Sequence, residues 1–284
     1  MIEIVNKNAS AARTRVVMFD FDGTISLVRS GWMDVMVPMC LEGLKATKTS
    51  ETGAELTSVV EEFVWRLTGK ETIYQMMALA DAIRQRGGKP AEPLAYKKMY
   101  LDRLWVRIRD RIEGLRDGSV PPDRYMVPGA RELLEYLVER GLELYLASGT
   151  DDANVKEEAA LLDISRYFKG RIFGAQDDLK SFSKALLVQE ILARARFEPD
   201  ELLVFGDGYV EIEEVKKVGG TAVGVASSEP ECIEVDPWKR QRLIDVGADY
   251  IIPNFTDPDR LVAALLDAHV GKIERLLSNH PSDR

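Results

Sequence analysis

Cysteine is scarce in this 284-residue chain: Cys40 and Cys232 are the only two, far apart and without a CxxC partner. They fit no zinc site and imply no disulfide framework. No run of 18 apolar residues occurs, which excludes a transmembrane helix. The opening residues, MIEIVNKNASAARTR, hold no uninterrupted apolar segment, so no signal peptide is expected and the cytoplasm is the expected compartment. Positive charge is also short. Lys and Arg number 38 against 47 Asp and Glu, for a net charge of −9. That balance argues against a nucleic-acid partner held by overall positive charge. Internal repeats and low-complexity tracts are lacking as well. What remains is the composition of an ordinary globular protein, 45% hydrophobic and 30% charged, with length for one large domain or two modest ones.

Two regimes are visible along the chain. From residue 127 onward, short apolar runs alternate with amphipathic stretches. The runs at 142–148 (LELYLAS), 170–175 (GRIFGA), 201–207 (ELLVFGD), 220–226 (GTAVGVA) and 249–253 (DYIIP) read as strands, with RVVMFDF at 15–21 completing the set. Their continuous apolar character is that of parallel strands buried on both faces. Stretches between them, such as ARELLEYLVERG and SFSKALLVQEILARAR, read as helices, several of them closed by glycine. This alternation predicts an α/β fold with a doubly wound, Rossmann-like parallel sheet. Between about 27 and 126 the alternation stops and helix follows helix. Segments around 53–67 and 71–86 are predicted helices. So is 96–115, where Leu101, Trp105, Ile108, Ile112 and Leu115 form one apolar stripe. The expected organisation is an α/β core of residues 1–26 and 127–284, with an all-α unit, 27–126, inserted after the first strand. Its return link, DGSVPPDRYMVPGA, is read as a hinge.

Ligands of open α/β sheets bind beyond the carboxyl ends of the strands, so the polar residues there are the candidates. The first strand runs into Asp20 and Asp22; another ends in Ser148-Gly149-Thr150; a third ends in Gly206-Asp207-Gly208, with Glu211 four residues past the aspartate. Lys184 falls in the first turn of a helix. Each taken singly has an ordinary structural explanation. Asp-Gly makes turns, Ser148 could cap a helix, and a lysine is commonly solvated. A calcium loop fails, because the positions where DFDG would need further acids hold Thr24 and Gly31. Yet two carboxylates at i and i+2 repel unless a cation or proton lies between them. A lysine in a first helical turn opposes the dipole unless an anion joins it. Taken together, the acid-rich oxygen set suits Mg²⁺ with a substrate phosphate. An aspartate can then attack phosphorus, and a second acid can handle the leaving-group proton.

DFDGT after an apolar strand, LYLASGT, a helix-borne lysine and LLVFGDGYVE together resemble the four motifs of the haloacid dehalogenase-like (HAD) superfamily, over roughly residues 14–26 and 127–255. The resemblance implies a HAD core with a cap domain and a Mg²⁺-dependent phosphomonoesterase working through an aspartyl-phosphate. Asp20 would be nucleophile and metal ligand. Asp22 would be general acid/base and give its backbone carbonyl to the metal. Ser148 would bind the phosphoryl group, and Lys184 would stabilise it. Asp207 would complete the metal site, supported by Glu211, which stands where Asp is commoner. Lys180, four residues before Lys184, is the alternative lysine; spacing and the apolar helix favour Lys184. Asp22 points to phosphate-ester chemistry, since C–Cl cleaving and phosphonatase-like relatives lack that second aspartate.

The helical insert resembles the mobile cap of the subgroup that includes phosphoglycolate phosphatases and β-phosphoglucomutases. Thr24, Arg29, Lys70 and Gly149 are the candidate substrate contacts, with Trp32 near the cleft. Residues 97–116 carry seven Lys or Arg against three acids, expected to form a solvated outer face. The expected partner is a small phosphorylated metabolite, with neither nucleic acid nor membrane. A phosphomutase on the same core and a catalytically idle interaction module are the competing readings.

Overall fold

The computed structural model describes residues 2–176, 183–195 and 197–267. Its strands are β1 (Glu3–Ile4), β2 (Val16–Phe19), β3 (Glu143–Asp151), β4 (Ile172–Ala175), β5 (Leu202–Gly206), β6 (Thr221–Val225) and β7 (Tyr250–Ile252). They form one sheet in the order β1-β7-β6-β5-β2-β3-β4. All neighbours are parallel except β1, which runs antiparallel to β7. Every residue of β2, β5, β6 and β7 is buried, which is why these strands are apolar without alternation.

Helices α5 (Ala130–Glu139), α6 (Asp152–Leu161), α7 (Ser165–Phe168), α8 (Lys184–Ala195), α9 (Tyr209–Val218), α10 (Pro237–Asp245) and α11 (Pro258–Val262) connect or follow the strands. For chain-order numbering, the four helices that precede them are α1 (Met33–Lys45), α2 (Gly53–Arg66), α3 (Thr72–Gln85) and α4 (Pro93–Asp117). These four follow one another between β2 and β3. The chain enters and leaves them side by side, as Leu27 N–H bonds the Tyr125 carbonyl at 2.8 Å and Val127 N–H bonds Ile25 at 2.9 Å.

Two packed cores lie on opposite faces of the sheet, as a doubly wound α/β fold requires. On one face Phe19 stacks on Phe205 at 4.9 Å, with Phe255 and Phe168 edge-on. The chain winds outward through β3 and β4, then returns to β5 on the other side of β2. A crevice therefore opens beyond the carboxyl ends of β2, β3 and β5, where the strand order reverses.

Three readings need correction. The edge strand β1 has only two residues and carries no apolar run, so nothing marked it. The apolar stripe of α4 is Tyr100, Leu104, Ile108, Ile112 and Leu115. Leu101 is only half-buried and Trp105 is exposed, because Tyr100 and Leu104, one residue earlier, continue the i, i+4 row of Ile108 and Ile112. Nor is the basic side of α4 wholly a solvated face: Lys97 is buried and pairs with Asp151 at 2.5 Å.

Candidate active site

The register of the central strands brings the candidates together. Phe19 lies opposite Leu146 on one side and Phe205 on the other. Asp20 continues β2, its N–H bonding the Phe205 carbonyl at 2.9 Å. Ser148 stands two residues past Leu146, and Asp207 directly follows β5. After Asp20 the chain turns tightly. The Phe21 carbonyl accepts from Ile25 and Ser26, and Gly23 takes a left-handed φ of +76°. A Cβ at Gly23 would overlap the Asp207 carboxylate, so glycine here lets two distant segments close on each other.

Lys184, the first residue of α8, resolves its own anomaly. Its Nζ lies 2.8 Å from Asp20 Oδ1 and 2.8 Å from Glu211 Oε2, so a cation at a helix start is held there by two carboxylates. Burial opposes its charge, but Asp20 and Glu211 outweigh that and raise its pKa. Glu211 is fully committed, since Oε1 also accepts the Gly208 N–H at 2.7 Å and caps α9. Lys180 lies outside the described residues.

Asp20, Asp207 and Glu211 can each offer a carboxylate oxygen, and these oxygens lie within 4.8 Å of one another. Burial pushes the Asp20 pKa well above the usual carboxylate value; Lys184 opposes the shift and the neighbouring acids add to it. Burial likewise pushes Asp207 up to about 6, with Lys239 opposing and Glu229 and Glu211 adding. Such a surplus of buried negative charge, built only from hard oxygen donors, fits a divalent cation. Both oxygens of Glu211 are engaged, whereas the ammonium contacts to Asp20 and Asp207 each use a single oxygen of the carboxylate. Asp207 is meanwhile covered by Lys239, whose Nζ is 3.1 Å from its Oδ2 and 2.8 Å from Glu229.

Asp22 faces the same space. Its Oδ2 accepts from Thr150 Oγ1 at 2.8 Å and Ser148 Oγ at 3.2 Å, while its buried Oδ1 has no hydrogen-bond partner. A cavity of about 90 Å³ lies between these strand ends and the four helices. Asp20, Asp22, Ser148, Gly149, Lys184 and Asp207 line one side; Arg29, Trp32, Lys70, Gln75 and Tyr100 line the other. At Gly149 the backbone approaches so closely that a Cβ would sit 2.6 Å from the Lys70 carbonyl oxygen.

Two expected substrate contacts behave differently. Thr24 is fully buried and does not line the cavity, and its Oγ1 has no hydrogen-bond partner among the described residues. Arg29 reaches the cavity, but its guanidinium is engaged by Glu158 through Nη2 at 2.6 Å and Nε at 3.1 Å. Its Nε lies 3.9 Å from Asp22. Burial holds the Glu158 pKa up despite Arg29.

Glu158 and Lys239 were missed in the sequence, and Thr150 was noted at its strand end without a role. That role was findable, because i and i+2 share one face of a strand. Glu158 and Lys239 come from helices far along the chain and carried no signal. Among the described residues, no helix is long and apolar enough to cross a membrane.

A family model described as haloacid dehalogenase-like hydrolase matches residues 14–219. A curated phosphorylated carbohydrates phosphatase of Thermotoga maritima is 31% identical over 93 residues, covering 32% of this chain and 42% of that protein's length. Among solved structures, a predicted phosphoglycolate phosphatase from Haemophilus somnus superposes with a TM-score of 0.57 at 16% identity, covering 88% of this chain and 98% of that one. A β-phosphoglucomutase from Clostridium difficile gives 0.53 at 12% identity, covering 82% and 98%. At such identities these structures speak to the fold, while the family match spans well over half of the sequence. The chain belongs to the haloacid dehalogenase-like hydrolases.

Proposed function

We propose that the protein is a Mg²⁺-dependent phosphatase that hydrolyses a small phosphorylated metabolite through an aspartyl-phosphate on Asp20. The observation that carries this reading is the pairing of two carboxylates on one cavity. Asp20 is held by an ammonium at 2.8 Å, and Asp22 by the hydroxyls of Thr150 and Ser148. Asp20 and Asp207 would hold the ion, which neutralises phosphoryl charge so that a carboxylate can approach phosphorus.

Asp20 attacks phosphorus, displacing the substrate alkoxide and becoming an acyl phosphate. Asp22 acts as general acid to the departing oxygen and then as general base toward the water that hydrolyses the intermediate. Lys184 and the Ser148 hydroxyl face the phosphoryl oxygens and cover their charge as it redistributes. Residues 27–126 act as a cap over this chemistry, its link at 68–70 closing against the strand ends and excluding water from the first step. The phosphorylated-carbohydrate relative favours a sugar phosphate as substrate.

A panel of phosphorylated metabolites assayed with Mg²⁺, alongside Asp20→Asn, tests the reading. Phosphate release without isomerised product, abolished in Asp20→Asn, is expected. Isomerisation without net release would make the protein a mutase, and inactivity across the panel would leave a binding module.

A further inference from the structure

A second and larger cleft, of about 410 Å³, adjoins the first; Trp32, Thr68 and Asp207 line both. Its walls come from the four-helix unit on one side and from the segments following β5 and β6 on the other. Two guanidinium groups on it form no close ion pair with a carboxylate among the described residues. Arg111 donates through Nη1 to the carbonyls of Leu27, Val28 and Ser30 at 3.3, 2.9 and 3.0 Å. Arg242 donates to the Trp65 carbonyl and lies over the Trp238 ring at 4.5 Å. Among the described residues, neither forms an ion pair with a carboxylate. Burial lowers the pKa of both, outweighing the opposing Tyr125 and Glu229 at Arg111 and Tyr209 and Asp207 at Arg242.

The acids of the same cleft are already engaged. Asp34 pairs with Arg107 at 2.8 Å and Glu229 with Lys239 at 2.8 Å. Asp236 accepts the N–H groups of Trp238 and Lys239 at 2.9 and 2.8 Å and caps α10. Gly31, at φ +80°, admits Arg107 to the cleft, since a Cβ there would overlap its Nη2. An uncharged sugar ring could stack on the tryptophans, but it would leave both guanidinium groups without a close ion-pair partner. An anion that accepts their hydrogen bonds would not.

We propose that this cleft receives a second anionic group, a phosphate or carboxylate carried on the leaving group of the substrate, with Arg111 and Arg242 as its ligands. The proposal rests on the phosphatase reading for what fills the first cavity, and it narrows the substrate to a doubly anionic phosphomonoester. The aromatic walls then flank the part of the molecule that joins the two charges.

The test uses the full chain carrying Asp20→Asn, in Mg²⁺, titrated with a hexose monophosphate, a hexose bisphosphate and a phosphorylated sugar acid. Binding is read by calorimetry and by the fluorescence of Trp32, Trp65 and Trp238. At least one doubly anionic ligand should bind about tenfold or more tighter than the monophosphate, beyond the twofold statistical advantage of two equivalent phosphates. Whichever of the two does so identifies phosphate or carboxylate. Adding Arg242→Gln should shrink the preference to about twofold or less, and Arg242→Lys should retain part of it. Circular dichroism confirms that each variant is folded; should Arg242→Gln misfold, Arg111→Gln serves in its place. Equal affinities for the three ligands, or a preference untouched in the folded variant, would overturn the proposal. Turnover of an aryl phosphate by the unsubstituted protein separates the two readings. Turnover without the preference removes only the second anion site. Preference without turnover removes only the phosphatase.

Discussion

Lys184 Nζ stands 2.8 Å from Asp20 and 2.8 Å from Glu211, and all three side chains are at most 6% exposed. One ammonium thus balances two buried carboxylates from segments 191 residues apart. Lys184→Met would strand both. The expected result is a loss of about 3–5 kcal/mol in unfolding free energy at neutral pH, the range for breaking a buried pair by removing one partner. The loss should shrink at acidic pH, where the stranded carboxylates take up protons. Urea unfolding at two pH values measures it; a loss independent of pH would contradict the pairing.

Arg29 and Glu158 make a second buried pair, joining the segment before α1 to α6. Arg29→Met and Glu158→Leu should each destabilise by about 3–5 kcal/mol, whereas the two together should recover most of that. Chemical denaturation of the three variants supplies the cycle, and additive losses would show that the two side chains do not depend on each other.

How far the sequence went is clearest at this pair. β2 and β5 were legible because strands buried on both faces are written as unbroken apolar runs, and the residues that follow them named Asp20 and Asp207 directly. β3, partly buried along its length, was legible from the run LYLA, which leads straight into Ser148. Lys184 was legible because a cation in a first helical turn asks for an anion. The partner of Arg29 was not, because Glu158 lies 129 residues away on a helix whose polar face has no period distinguishing an inward acid from a solvated one. The α4 stripe went astray by one residue for a related reason: Tyr100 and Leu101 are adjacent, both apolar, and only packing chooses between them. Thr24, beside the DxD pair, is buried outside the cavity lining, and the sequence of a tight turn does not say which of its side chains face the cavity.

Asp207 gives a pH dependence with a definite sign. Its pKa in the folded, metal-free protein is raised to about 6 from the ordinary 3.8. The folded state therefore holds a proton that the unfolded chain releases. The stability this contributes is present below about pH 4 and is lost as pH rises through about 6. In chelator, Asp207→Asn should gain on the unsubstituted protein between pH 4 and pH 8, by as much as about 3 kcal/mol at ~1.4 kcal/mol per unit. Parallel pH profiles for the two proteins would refute the shift.

At Gly149 the backbone of β3 comes close to the 68–70 link of the four-helix unit. In Gly149→Ala the added carbon would meet the Lys70 carbonyl at 2.6 Å, so the link at 68–70 must retreat. Turnover should fall by at least about tenfold, since small displacements of groups that close a site are costly, while the thermal midpoint moves little. Unchanged turnover would show that this contact does not bear on closure.

The central claim is that Asp20 becomes the phosphorylated group, and acid quenching within a single turnover tests it most directly. Enzyme is in excess over substrate, and the peptide containing Asp20 is followed by mass spectrometry. A phosphoryl adduct on Asp20 that forms and decays at the rate of phosphate release is the predicted result. Phosphate release with no adduct on Asp20 at any time, under conditions that preserve acyl phosphates, would contradict the account.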